Sequence, residues 1–237
     1  MTDHTFKQFD TDIDMMRSAV SMMGGLVERQ LVRAVDAVRH GDLRLVTQVL
    51  EDERVVNQLH LESDLRCNQM IARRQPIAVD LREIIAVIHT INDLERIGDE
   101  AKKIAKMARD IHGGDTRVVP RVDLDPPAEI AVAMLRKALD AFARLDVNAS
   151  AEVVRQDREV DSAYKAAARQ LITFMMEDPR TISSSLDLLF VARSIERIGD
   201  HAKNISEYVV YLVKGRDVRH IGLEAMEQEV ARPLGNP

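Results

Sequence analysis

The chain has 237 residues, one cysteine and a net charge of −6, from 33 Lys and Arg against 39 Asp and Glu. That balance repels a phosphodiester backbone, and no basic stripe interleaved with aromatics offsets it, so nucleic acid is not an expected partner. With Cys67 alone, neither an intramolecular disulfide nor a multi-cysteine metal centre can form, which suits a reducing cytosol.

Apolar residues at 46%, aromatics at only 3%, and ten Gly with seven Pro are the profile of long helices. The opening MTDHTFKQFDTDID is polar and acidic where a secretory leader needs positive charge and then an apolar stretch. No apolar run approaches the roughly 18 residues of a membrane span. The expectation is a cytoplasmic chain without direct membrane insertion.

In chain order, Ile13, Met16, Val20, Met23, Val27, Leu31, Ala34 and Val38 step by three and four, which draws one apolar stripe along a first helix ending near His40-Gly41. Asp42 can cap a second helix running to about Arg73. Gln75-Pro76 breaks it, because proline lacks an amide donor and restricts the residue before it. A third helix is predicted over 80–111. Gly and Pro punctuate residues 112–127, HGGDTRVVPRVDLDPP, as a linker. Three further helices follow over 128–147, 149–176 and 183–214, the last two separated at Asp178-Pro179, and residues 215–237 form a C-terminal tail.

The two halves are copies. ERIGDEAKKI at 95–104 and ERIGDHAKNI at 196–205 agree at eight of ten positions, and ERVVN at 53–57 faces DREVD at 157–161 in the equivalent helix. A repeat of this length is too long for a solenoid unit. The fold expected is all-α: two similar three-helix bundles, 1–111 and 128–214, joined by the linker.

Glu95 and Asp99, and again Glu196 and Asp200, stand four apart, one turn along the same helix face. Extending the third helix's stripe through Ile84, Ile88 and Ile91 lands on Glu95, Gly98, Asp99 and Lys102. In the sixth helix Leu189 and Ala192 lead to Glu196, Asp200 and Lys203. The carboxylates thus continue apolar stripes, where a charge is costly unless paired or bound to metal. Glu53 with Asn57, and Asp157 with Asp161, add oxygens at the same spacing. Together they form a candidate site for a hard or borderline cation, Mg, Mn or Fe, with Zn also admissible. The alternative is salt bridging to Arg96 and Arg197. Gly98 and Gly199, helical positions where glycine costs stability, point to close approach of another helix or of a ligand.

Other chemistries have less support. A carboxylate-bridged di-metal enzyme built in a helical bundle uses Glu-x-x-His from two helices, and no Glu stands three residues before any of the seven His. His201 lies beside Asp200 and so within reach of the site. Cys67 has no evident His and acid partner and reads as a small buried apolar residue. A metal-free adaptor is the stronger rival to a metal-binding regulator.

Several strings resemble the PhoU family of phosphate-transport regulatory proteins, along nearly the whole chain. They are MGGLVERQL at 23–31, ARRQPIAVDLR at 72–82, both ERIGD strings, RQLITFMMEDPRTI at 169–182, FVARSIERIGDHAKNISE at 190–207 and YLVKGRDVRH at 211–220. The resemblance implies metal binding at the E/D-x-x-x-D strings, hence at Glu95, Asp99, Glu196 and Asp200, and with them Glu53, Asn57, Asp157 and Asp161. Asn57 departs from the carboxylate at Asp161, which implies a weaker or differently loaded first site. It further implies a non-enzymatic negative regulator of phosphate-starvation signalling. Its implied partners are a phosphate-responsive sensor histidine kinase, the ATPase subunit of the phosphate ABC transporter and a second copy in a homodimer, reached from the cytoplasm at the inner membrane.

Overall fold

In the computed structural model, residues 2–113, 118–219 and 221–232 are described, residues 2–10 in backbone only. Residues 114–117 of the expected linker, and His220 with 233–237 of the expected tail, lie outside the described residues. Seven α-helices and no strand occur among the described residues: α1 Thr2–His40, α2 Leu43–Arg74, α3 Ala78–His112, α4 Asp125–Arg144, α5 Val147–Glu177, α6 Ile182–Lys214 and α7 Leu223–Ala231. None of these helices is long and apolar enough to cross a membrane.

The breaks fall where local chemistry demands them. Asp42 caps α2 by accepting the Arg44 amide, and α2 ends as Gln75 turns left-handed (φ 50°) ahead of Pro76. In the second half Asp146 caps α5 by accepting the amides of Asn148 and Ala149. Asp178 and Pro179 then close α5 into a single 3₁₀ turn before α6. The stretch expected to be a tail holds α7, whose Leu223, Met226 and Val230 pack with Val154, Val210 and Val218.

Helices α1, α2 and α3 form one bundle and α4, α5 and α6 the other, with α3 lying against α6 through the middle and α1 touching α4. One continuous core spans both bundles. The first-helix stripe is buried from Ile13 to Ala34, and its last core member is Ala37 rather than Val38. A helix turns 3.6 residues per cycle, so a stripe read in threes and fours drifts over this length. Cys67 is fully buried with its Sγ against Met16 Sδ, and burial pushes its thiol up to about 11, the state of an inert core residue.

The two helical glycines differ. A Cβ on Gly98 would stand 3.1 Å from Gln30 Oε1 and 3.3 Å from Glu53 Oε2, so α2 and α1 close on it tightly. At Gly199 the nearest atoms, of Val160 and Met134, are 3.6 Å or more away, ordinary contact distance. Gly199→Ala should therefore gain helix stability of about 0.5–1 kcal/mol, whereas Gly98→Ala must displace a hydrogen-bonded pair. The expected gap is about 1 kcal/mol, read in thermal denaturation as roughly 2–4 °C between the two variants. Equal melting temperatures would remove the packing account of Gly98.

Candidate metal centre

Each carboxylate set is held between two antiparallel helices, α2 and α3 in the first half, α5 and α6 in the second. The positions correspond, but the surroundings do not.

In the first half Glu53 is almost wholly buried and fully served. Gln30 Nε2 donates to it at 2.9 Å, Asn57 Nδ2 at 3.2 Å and Lys102 Nζ at 3.2 Å. Lys102 also reaches Asp99 Oδ1 at 3.2 Å, so one ammonium bridges the two helices. Burial acts to raise the Asp99 carboxyl, but its hydrogen bonds with Lys102 and Glu53 outweigh that and hold it below the usual range. Glu95 stays outside this group, with Arg96 at 3.6 Å as its ion partner. The amides of Gln30 and Asn57 are spent on Glu53, which leaves Gln30 Oε1 and Asn57 Oδ1 buried without donors.

In the second half Met134 stands beneath Gly199, as Gln30 does beneath Gly98, and offers no amide. Lys203 donates to Asp157 at 2.7 Å and Arg193 to Glu196 Oε1. Glu196 Oε2 is buried with no partner, and neither Asp161 nor Asp200 accepts a hydrogen bond among the described residues. Burial raises Glu196 first, and the charges of Asp200, Asp161 and Asp157 push it further against Arg193. Burial likewise raises Asp200, joined by Asp157 and Asp161. Glu196 and Asp200 thus sit in a poorly solvated place beside the charges of Asp157 and Asp161, whereas in the first half Asp99 is lowered by its hydrogen bonds.

The structure brings Glu53, Asn57 and Asp99 together in the first half and places Asp157, Asp161, Glu196 and Asp200 near one another in the second, while Glu95 stands apart. Among the described residues, no three His, Cys, Asp or Glu side chains are grouped as a metal requires. Lysines stand between the carboxylates instead. Pairing with Arg197 does not occur at Glu196, because Arg197 crosses to Glu100 of α3 at 3.2 Å. His201 also turns away from the site, its Nδ1 2.7 Å from Asp93 Oδ1. Gln30 went unnoticed in the sequence, although a polar residue three past Val27 and four before Ala34 on a core stripe was a usable signal. Oxygen is the only donor type in the second set, which suits a hard cation such as Mg or Mn, or Fe, better than Zn.

The PhoU domain model matches residues 20–108 and 127–209, once per bundle. A Pseudomonas aeruginosa phosphate-specific transport system accessory protein PhoU homolog is 45% identical over 235 residues, 99% of this chain and 97% of that one. The Escherichia coli K12 accessory protein PhoU is 41% identical over 231 residues, 98% and 95% of the two chains. Among solved structures, PhoU from P. aeruginosa superposes with a TM-score of 0.85 at 44% identity, over 88% of this chain and all of that one. The phosphate transport system regulatory protein PhoU from Streptococcus pneumoniae gives a TM-score of 0.81 at 25% identity, covering 89% and 99%.

Proposed function

The chain belongs to the PhoU family, and from that we propose that it is a non-enzymatic accessory protein of phosphate-specific transport that holds back phosphate-starvation signalling by binding partners. The observation that carries this reading is the near end-to-end similarity to curated accessory proteins, spanning both bundles and the crossing between them. Its partners in this reading are a phosphate-responsive sensor histidine kinase, the ATPase subunit of a phosphate ABC transporter, and a second copy of the chain. It meets the first two from the cytoplasm, at the inner membrane.

Metal belongs to the same reading, in the second bundle first. Support comes from Glu196, whose Oε2 is buried without a donor beside three other carboxylates. A divalent cation there would take the place that Lys203 now holds at Asp157, and would relieve the mutual repulsion of Asp157, Asp161, Glu196 and Asp200. The first site carries its own cation in Lys102 and a neutral Asn57, and competes poorly for metal.

The test of the regulatory role is genetic. Deleting the gene should raise a phosphate-starvation reporter several-fold in phosphate-rich medium, and the intact chain supplied in trans should return it to the repressed level. An unchanged reporter in the deletion strain would overturn the signalling role.

A further inference from the structure

Lys203 occupies Asp157 in the second bundle, so a cation that takes Asp157 as a ligand displaces the ammonium, and the fold supplies somewhere for it to go. Glu207 stands four residues beyond Lys203 on the same face of α6, one turn away and within reach of its ammonium. Only 8% exposed, Glu207 has no hydrogen bond or ion pair among the described residues. It lines a cavity of about 580 Å³ together with Asp157, Asp161 and Lys203, and with Val218, Gly222 and Met226 of the C-terminal segment. A buried carboxylate without a partner is an unfilled position for a cation.

The first bundle lacks this provision. Glu196 follows Glu95 by 101 positions, and the same step takes Glu207 back to Lys106, which is exposed. Lys102, released from Glu53 and Asp99, would meet a like charge one turn on, whereas Lys203 meets an opposite one. Three donors also serve Glu53 where one serves Asp157.

We propose that Glu207 is the receiving point for Lys203, to which the ammonium swings when a divalent cation enters between α5 and α6, and that this exchange lets the second bundle load metal where the first cannot. This rests on the reading of the second carboxylate set as a cation site. Glu207 is thus a positioning residue: it acts on the metal through the lysine. The swing exchanges one ion pair for another inside the same cavity, so no charge is stranded while the four carboxylates gain the cation.

The test is a double-mutant cycle on the full chain, with Mn(II) and Zn(II) each titrated alone as probes and thermal denaturation run on every variant. Glu207→Gln should weaken binding about tenfold or more, in the range found when a group supporting a metal ligand is lost. Glu207→Asp should recover most of it, and Glu207→Lys, which copies the first bundle, should be the weakest of the three. In a Lys203→Met background the lysine no longer needs a destination, so adding Glu207→Gln should change affinity less than about twofold. Glu207→Gln binding as tightly as wild type would overturn the proposal, and so would an equal loss with and without Lys203. A loss of binding in Glu196→Gln, Asp200→Asn alongside either result would leave the cation site standing. If wild type binds neither probe, the cation reading fails and the proposal falls with it.

Discussion

The double variant Glu196→Ala, Asp200→Ala is expected to lose nearly all bound divalent metal while melting at or above the wild-type temperature. Both carboxyls are raised by burial first, then Glu196 by the charges of Asp200, Asp161 and Asp157 and Asp200 by those of Asp157 and Asp161, so the metal-free fold carries them at a cost and removing them relieves it. Arg193, left without Glu196, is half exposed and rehydrates readily. The counterpart Glu95→Ala, Asp99→Ala should behave in reverse. Its metal content should match wild type, and its stability should fall by about 1 kcal/mol, because Lys102 then loses one of its two acceptors in a partly buried place. Metal stoichiometry and melting temperature measured on the same preparations separate the cases. Equal metal in wild type and both doubles would return all eight residues to structural ion pairing.

Much of this was legible in the sequence. The stripe from Ile13 to Ala34 gave α1, and Pro76 and Pro179 gave the two breaks, because a missing amide donor acts locally whatever the tertiary context. Extending the third stripe placed Glu95 and Asp99 at the edge of the core, and both are half-buried there. Periodicity could not tell the two sites apart. Their difference depends on Gln30 and Met134, which precede LVRAVDAV at 31–38 and LRKALDAF at 135–142, a weaker match between α1 and α4 whose meaning shows only once both residues are found beneath the paired glycines. The contrast of Lys106 with Glu207 was open to anyone stepping 101 positions between the ERIGD strings. Its meaning lies in the cavity that Glu207 and Lys203 share with Val218, Gly222 and Met226 of the C-terminal segment. Helix α7 itself had a signal in Leu223, Met226 and Val230, but its nine residues are too few for spacing alone to separate helix from tail.

A second face of α3 and α6 stayed hidden because it exists only where the two bundles meet. Asp93, nearly buried, lies 2.7 Å from His201 Nδ1 and accepts Asn204 Nδ2 at 3.1 Å. Glu100, at 2% exposure, accepts Ser194 Oγ at 2.9 Å and Lys103 Nζ at 2.9 Å, with Arg197 at 3.2 Å. Stepping by 101 positions turns Asp93 into Ser194 and Glu100 into His201, so the pair of Glu100 with Ser194 is the image of the pair of His201 with Asp93. The repeats therefore meet about a local twofold, and a buried acid from α3 anchors each end of the crossing. An apolar crossing would let the bundles slide. Two buried carboxylates with fixed donors on the opposite helix hold one register.

Replacing both acids, Asp93→Ala with Glu100→Ala, should accordingly have the largest effect on stability of any polar substitution considered. Each removal leaves donors of α6 facing a buried void, and hydrogen bonds to a charged acceptor contribute about 1.5–3 kcal/mol apiece, so the pair should lose roughly 4 kcal/mol. For a chain of this size that lowers the melting temperature by roughly 10 °C. The form of the transition should change too. With α3 and α6 no longer pinned, the bundles should unfold separately, giving two calorimetric peaks where wild type gives one. Asp93→Asn with Glu100→Gln retains an acceptor at each position and should recover about half of the loss, which ties the effect to the hydrogen bonds rather than to volume. A single peak within about 2 °C of wild type in the double alanine variant would mean that apolar packing alone sets the crossing.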